Sequence, residues 1–180
     1  LEHMGYQCCL IAGKCDRDPK QSFVIPEADF NHPDVHEINR KCFGRASRPR
    51  QMSRLIRTTA GSIKNQLYTA VETLQIDLLI VQNALTIPVN IPLGAAIEEF
   101  IIETNIPSIA HHHDFVWERE RFLVNAVHDY IAAVFPPRLE EIEHVVINSQ
   151  AGREFARRTG LSYRVISNVM NFNQPPPPPG

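Results

Sequence analysis

The stretch Ile106-Pro107-Ser108-Ile109-Ala110-His111-His112-His113-Asp114 (IPSIAHHHD) decides how the rest of this chain is interpreted. Its first five residues are apolar or small, as in a strand buried inside a sheet, and its last four are polar and titratable. In an open α/β sheet, ligands bind beside the carboxyl ends of the strands. We therefore predict a buried strand over 106–110 and a functional site at the histidine end.

Other segments predict a regular alternation of strands and helices. Short apolar runs typical of buried strands lie at 6–12, 22–25, 76–81, 144–147 and 163–166. Apolar residues at helical spacing lie between them, at 35–42, 51–74, 92–105, 122–134 and 149–159. We expect Gly61 to break the second of these helices, and Ser149 to be the N-cap of the last. The order predicts an α/β fold, a Rossmann-like parallel sheet with helices on both faces.

Size and composition restrict the function further. The chain has 180 residues, enough for one domain. Its net charge is -2 and 21% of its residues are charged, so its charge gives no sign of a nucleic-acid partner. Its apolar runs are far shorter than the roughly 20 residues of a membrane span, and no signal peptide opens the chain. We expect a cytoplasmic protein, and work at a membrane surface stays open. There is no G-x-G-x-x-G and no P-loop, which argues against a self-contained dinucleotide or triphosphate site.

The histidine cluster allows three interpretations. Alternate residues of a strand share a face, so His111 and His113 are expected to point one way and His112 the other. The pair could bind a metal, with Asp114, Glu118 or His128 completing the ligand set, although no established metal-binding spacing is present. The histidines could instead only bond to the backbone and carry no chemistry. In the third interpretation, one of them contacts a substrate.

The residues expected at the other strand ends favour the third interpretation. They are polar or flexible in each case, and they include Gly13 with Lys14, Gln82 with Asn83, Asn148 with Ser149, and Ser167 with Asn168. Amide and hydroxyl groups beside a neutral histidine suit a hydroxyl-rich ligand such as a sugar, whereas an anion would call for arginines. The sequence therefore favours a sugar-like ligand.

Three separated motifs resemble a known family. They are IPSIAHHHDF (106–115) with the following Trp117-Glu118-Arg119, HVVINSQAGREF (144–155) and VISNVMNF (165–172). In this order they resemble the N-terminal, acceptor-side domain of retaining glycosyltransferases of the GT-B architecture, glycosyltransferase family 4 (group 1), over most of 76–174. This chain departs from the closing motif of that family, with Ser167 in place of a proline and no glycine after Asn168.

The resemblance implies roles for particular residues. It places His113, with the adjoining Asp114, at the catalytic position, and it makes Asn83, His111 and Ser149 candidate substrate-binding residues. It implies a nucleotide sugar as the donor substrate and an unknown acceptor, with no metal and no cofactor held by this part of the enzyme. It leaves the oligomeric state open.

The resemblance also implies a domain organisation truncated at both ends. Residues 1–4 are expected to be a cloning remnant, 5–170 a Rossmann-like domain without its first strand-helix unit, and 171–180 a proline-rich linker to a nucleotide-binding domain. Two alternatives stay open. One is a metal-dependent hydrolase centred on His111 and His113, and the other is a non-catalytic interaction module that uses the run Pro175 to Pro179 as a ligand.

Overall fold

A computed structural model describes residues 1–168 of the chain. The predicted linker, 171–180, and the proline run within it lie outside the described residues. The strands are β1 (Leu10–Ala12), β2 (Ser22–Val24), β3 (Leu79–Gln82), β4 (Ser108–His112), β5 (Ile142–Val146) and β6 (Arg164–Val165). The α-helices are α1 (Pro33–Cys42), α2 (Arg50–Leu74), α3 (Ile91–Thr104), α4 (His128–Val134) and α5 (Ser149–Thr159).

The strands form two parallel sheets. In one, β1 pairs with β2, and in the other the order is β3-β4-β5-β6. Helices connect the successive strands of the larger sheet, as parallel pairing requires. The prediction of an α/β fold with parallel strands is confirmed.

The main apolar core joins the two sheets through α2 and α3. Val81, Ala110 and His144 lie side by side on neighbouring strands and so share one face of the larger sheet. The core on that face combines residues of β3, β4 and β5 with residues of α2, α3 and the β2 region, among them Ile25, Ile63, Leu67, Val81, Phe100, Ala110 and Ile142. The opposite face carries Ile80, which is 39% exposed, and the exposed Glu143.

The predicted break of the second helix at Gly61 is wrong. Helix α2 runs without interruption for 25 residues. A glycine inside a helix costs only about 1 kcal/mol relative to alanine. That cost is smaller than what the buried side of α2 contributes, which includes Ile56, Ile63 and Leu67.

The predicted helix over 122–134 is also wrong in its first half. The buried side chain of Asn125 accepts a hydrogen bond from Val127 N at 3.0 Å and donates one to the Phe122 carbonyl at 2.8 Å. Asparagine side chains compete in this way with helical backbone bonds, so the helix begins only at His128.

Two boundaries that matter for the site differ from the prediction. Strand β4 continues through His112, so two of the three histidines belong to the strand itself. Ser149 is the first residue of α5 and not its N-cap, because the Asn148 side chain accepts the capping bond from Ala151 N at 2.8 Å. Asparagine is at least as good an N-cap as serine, and the sequence placed both at this point.

Candidate functional site

The carboxyl end of β4 separates the three histidines as the strand alternation predicts. His112 is 1% exposed and points into the core, whereas His113 is exposed and His111 is half-buried. The rings of His111 and His113 lie next to each other, with centroids 4.5 Å apart. These two histidines are therefore the ones that can meet a ligand at this end of the sheet.

Gln82, the last residue of β3, joins the two outward histidines. It lies beside His111 in the sheet register. Its side-chain oxygen Oε1 is 3.0 Å from His111 Nδ1 and 3.2 Å from His113 Nε2. Gln82 was expected at a strand end but not as a site residue, because only the pairing of β3 with β4 brings it to the histidines.

Asn83 and Asp114 form a second set of contacts at the same edge. Asn83 has a left-handed backbone, with φ of 57°. Its amide nitrogen donates to Asp114 Oδ1 at 2.8 Å, and its amide oxygen accepts from the backbone N–H of His113 at 3.1 Å. Asn83 therefore fixes the segment on which the candidate catalytic residues His113 and Asp114 stand.

Arg119 completes the surroundings of Asp114. Its Nε donates to Asp114 Oδ2 at 2.6 Å, and a second guanidinium nitrogen contacts the same oxygen. Both carboxylate oxygens of Asp114 are thus engaged, one by an amide and one by a cation. This arrangement suits a residue that holds its neighbours in place, because both of its oxygens already bond to protein groups.

His112 begins a buried chain of polar contacts beneath the site. Its Nδ1 is 2.5 Å from Thr86 Oγ1, and its Nε2 is 2.9 Å from Nδ1 of His144 on β5. Burial lowers the pKa of His112 to about 3 and that of His144 to about 4, so both rings are neutral near pH 7. Phe115 and Phe155 pack against the His112 ring.

Ser149 does not join the histidine cluster. It is exposed at the start of α5, and its side chain makes no hydrogen bond within residues 1–168. A polar groove of about 430 Å³ lies beside it, between the segment after β4 and one side of α5; its lining includes Glu118, Asn148, Gln150, Arg153 and Arg157. The structure thus places the Ser149 region next to a groove that Ser149 itself does not line.

The described residues also bear on the expectations about metal binding and membrane spans. Within residues 1–168, no three histidine, cysteine, aspartate or glutamate side chains lie close enough together to hold a metal ion. The hydrolase alternative therefore has no ligand set around His111 and His113 in that part of the chain. No helix in the same range is long and apolar enough to cross a membrane.

Two curated relatives match nearly the whole chain. The chain is 35% identical over 184 aligned positions to the mannosylglucosylglycerate synthase of Petrotoga mobilis. It is 29% identical over 178 positions to the enzyme of the same name from Thermotoga maritima. Each match covers 97% of this chain and 40% of the relative, so the chain spans well under half the length of both.

Two other comparisons found no counterpart. No family model matches the chain, and no solved structure matches it. The residues at the carboxyl ends of β3 and β4, namely Gln82, Asn83, His111, His113 and Asp114, form what we call the histidine edge. They lie in a chain that is similar, over nearly its whole length, to part of two proteins named mannosylglucosylglycerate synthase.

Proposed function

We propose that this chain is the acceptor-side part of a sugar-nucleotide-dependent retaining glycosyltransferase of the GT-B, family 4 type. The observation that carries the proposal is the 35% identity to a mannosylglucosylglycerate synthase over 97% of the chain. The name of that relative implies the joining of sugars to a glycerate unit. The site agrees with a hydroxyl-rich ligand, since its outward groups include two imidazoles and two side-chain amides, and the charge of its Arg119 is paired with Asp114.

The transfer moves one glycosyl group between two oxygens. The bond between the anomeric carbon of the donor and the phosphate oxygen of the nucleotide breaks, and a bond to an acceptor hydroxyl oxygen forms. The hydroxyl proton leaves with the nucleotide diphosphate. The part of the enzyme that would bind the nucleotide is not among residues 1–168, so this chain contributes positioning and electrostatic stabilisation of the transferred sugar.

Roles for the site residues follow from their exposure and contacts. His113, exposed at the end of β4, contacts the transferred sugar close to the anomeric carbon. Asp114 acts on catalysis by holding the His113 segment, together with Asn83. His111 lies against His113 and is a second candidate contact for the substrate. Ser149, beside the polar groove, is a candidate acceptor contact.

The test is transfer by the full-length protein with and without the His113 side chain. The assay supplies glucosylglycerate as acceptor and tests mannose nucleotides as donors, GDP-mannose among them, because the name of the relatives gives the mannosyl group and the acceptor but not the nucleotide. His113→Ala is expected to lower kcat/KM about 100-fold, the effect of removing one group that stabilises developing charge. The matched control is His36→Ala, at an exposed position on α1. Transfer that survives His113→Ala at the level of the control contradicts the proposal, and so does the absence of any transfer by the unmodified protein.

The domain organisation is a further part of the proposal. Within residues 1–168, β1 pairs only with β2 and β3 pairs only with β4, although both pairs contribute to one core. Leu79 N and Asn83 N bond to the β4 side, so the N–H groups of Ile80 and Gln82 point away from it. The expected first strand of the domain pairs with this free edge in the complete protein.

Hydrogen exchange tests the expected strand. The amides of Ile80 and Gln82 are expected to exchange at least about tenfold more slowly in the full-length protein than in this chain. Val81, whose amide faces β4 as the amides of Leu79 and Asn83 do, serves as the internal reference. Equal exchange of the Ile80 and Gln82 amides in the two proteins removes the strand from the proposal.

A further inference from the structure

One side-chain oxygen faces two ring nitrogens at the histidine edge. Gln82 Oε1 is within hydrogen-bond distance of His111 Nδ1 and of His113 Nε2. A carbonyl oxygen has two lone pairs and no proton, so it can only accept. Each of the two ring nitrogens must therefore carry a hydrogen to bond with it.

These bonds assign opposite tautomers to the two rings in their neutral forms. A neutral imidazole carries one hydrogen, and the hydrogen bond made by one ring nitrogen determines the state of the other. His111 then has its hydrogen on Nδ1 and a bare Nε2, whereas His113 has its hydrogen on Nε2 and a bare Nδ1. The two rings stand side by side but present different atoms to their surroundings.

The surroundings of His111 support this orientation of the Gln82 amide. His111 Nε2 is buried and has no hydrogen-bond partner among residues 1–168. If the Gln82 nitrogen faced the histidines instead, it would donate to both rings, and His111 would carry its hydrogen on that buried Nε2. An orphaned buried N–H is rarer in proteins than an acceptor left unsatisfied, so the oxygen-facing orientation is the better one.

Charge gives a second reason for a neutral His111 ring. Burial, followed by the proximity of His113, lowers the pKa of His111. A doubly protonated His111 would place an N–H⁺ on the partnerless Nε2. Near pH 7 His111 therefore stays neutral, and its single hydrogen goes to Gln82.

The geometry points to Gln82 as the positioning residue that sets the tautomers of His111 and His113 and so leaves His113 Nδ1 bare as an acceptor for a sugar hydroxyl. His113 is exposed, and no described side chain bonds to its Nδ1. The identity of the ligand rests on the proposed function. The assignment of the tautomers does not, because it follows from the contacts of Gln82 alone.

Nitrogen-15 NMR of the histidine rings in the full-length protein tests the tautomers directly. Near pH 8 the expected spectrum shows a protonated Nδ1 and a bare Nε2 for His111, and the reverse for His113. His111 is the more informative of the two, because a free histidine side chain prefers its hydrogen on Nε2. A hydrogen on His111 Nε2 or on His113 Nδ1 overturns the inference.

Two variants of Gln82 test whether this residue is the cause. Gln82→Met keeps the length of the side chain and removes the oxygen, so His111 is expected to lose its Nδ1 tautomer and kcat/KM to fall about tenfold, the value of one hydrogen bond. Gln82→Glu keeps an acceptor at the same place. It is expected to keep both N–H positions and, because a carboxylate favours the protonated form of a ring that it contacts, to raise the pKa of His111 and move the acid limb of the pH–activity profile to higher pH.

The control is Gln51→Met, at an exposed position in the first turn of α2, which should change neither the spectrum nor the activity. Opposite tautomers that persist in Gln82→Met overturn the inference. If that variant does not fold, Gln82→Glu still decides, because an unchanged pKa of His111 there equally overturns the inference.

The proposed hydrogen bond from a sugar hydroxyl to His113 Nδ1 is tested by a separate measurement. Saturating GDP-mannose is expected to shift the Nδ1 resonance of His113 in the direction of an accepted hydrogen bond and to leave His111 Nε2 unchanged. A His113 Nδ1 resonance that does not respond, although transfer activity is present, overturns the acceptor role. If transfer itself is absent, the proposed function fails, whereas the tautomers in the free protein still show whether Gln82 sets them.

Discussion

Acidification below pH 6.5 should weaken this fold through the buried pair His112 and His144. The two side chains are 1% and 4% exposed, and burial lowers the pKa of His112 to about 3 and that of His144 to about 4. In the unfolded chain both have a pKa near 6.5. Between these values the unfolded state binds more protons than the folded state, so the free energy of unfolding decreases as the pH falls from about 6.5 towards 4.

The size of the effect follows from the two pKa shifts. At pH 5 each histidine is almost fully protonated when unfolded and almost fully neutral when folded. Each therefore removes about 2 kcal/mol of stability relative to pH 7, and the pair removes about 4 kcal/mol. A loss of this size is a large part of the 5–15 kcal/mol that holds typical domains together.

Urea unfolding at pH 7, 6 and 5 measures the effect. The double variant His112→Phe with His144→Phe keeps aromatic rings next to Phe155 and removes both titrating groups. We expect the unmodified protein to lose about 4 kcal/mol more than the double variant between pH 7 and pH 5, whatever their difference at pH 7. The comparison cancels the other histidines and the carboxylates. Equal losses in the two proteins would refute the argument that the pair is neutral and buried in the folded state.

Two further predictions concern single positions. Asn83→Ala is expected to destabilise the protein by about 1 kcal/mol more than Asn83→Gly, because both remove the bond to Asp114 but only glycine accepts the left-handed backbone without cost; equal unfolding midpoints in urea would count against strain at this position. Gly152→Ala is expected to cost about 1–3 kcal/mol, since the new Cβ would lie 2.1 Å from the ring of Tyr163. Gly61→Ala, in α2 with open space around the position, is the matched control and should instead stabilise by about 0.5–1 kcal/mol; a thermal melt that ranks the two glycine variants in the opposite order contradicts the packing argument.

Local signals predicted most of the elements that build the site. The apolar spacing over 92–105 predicted α3, which the structure places at Ile91–Thr104. The Asn90 side chain that caps this helix and Pro92 in its first turn also act within a few residues along the chain. The helix expected over 122–134 failed for the opposite reason. Its apolar spacing was regular, but the side chain of Asn125 bonds to the nearby backbone, and Phe43 pairs with Asn125 across the fold. Neither competing contact can be read from hydrophobic periodicity.

For the candidate site, too, the local pattern predicted the directions of the side chains but not their partners. The alternation along β4 correctly predicted that His111 and His113 point one way and His112 the other, because side-chain direction in a strand depends only on position. The partners could not be predicted. Gln82 reaches the histidines because β3 pairs with β4 in one particular register, and Thr86 and His144 reach His112 from two different parts of the chain.

The sequence by itself determined the α/β class, the order of strands and helices, and the edge at which polar side chains collect. These follow from periodicity and chain direction, which are local properties. Only the tertiary structure decided that Gln82 joins two histidines, that Arg119 and Asn83 occupy both oxygens of Asp114, and that His112 is sealed in the core. Hydrogen-bond partners and burial depend on the register between strands that are far apart in the chain, and no local pattern specifies that register.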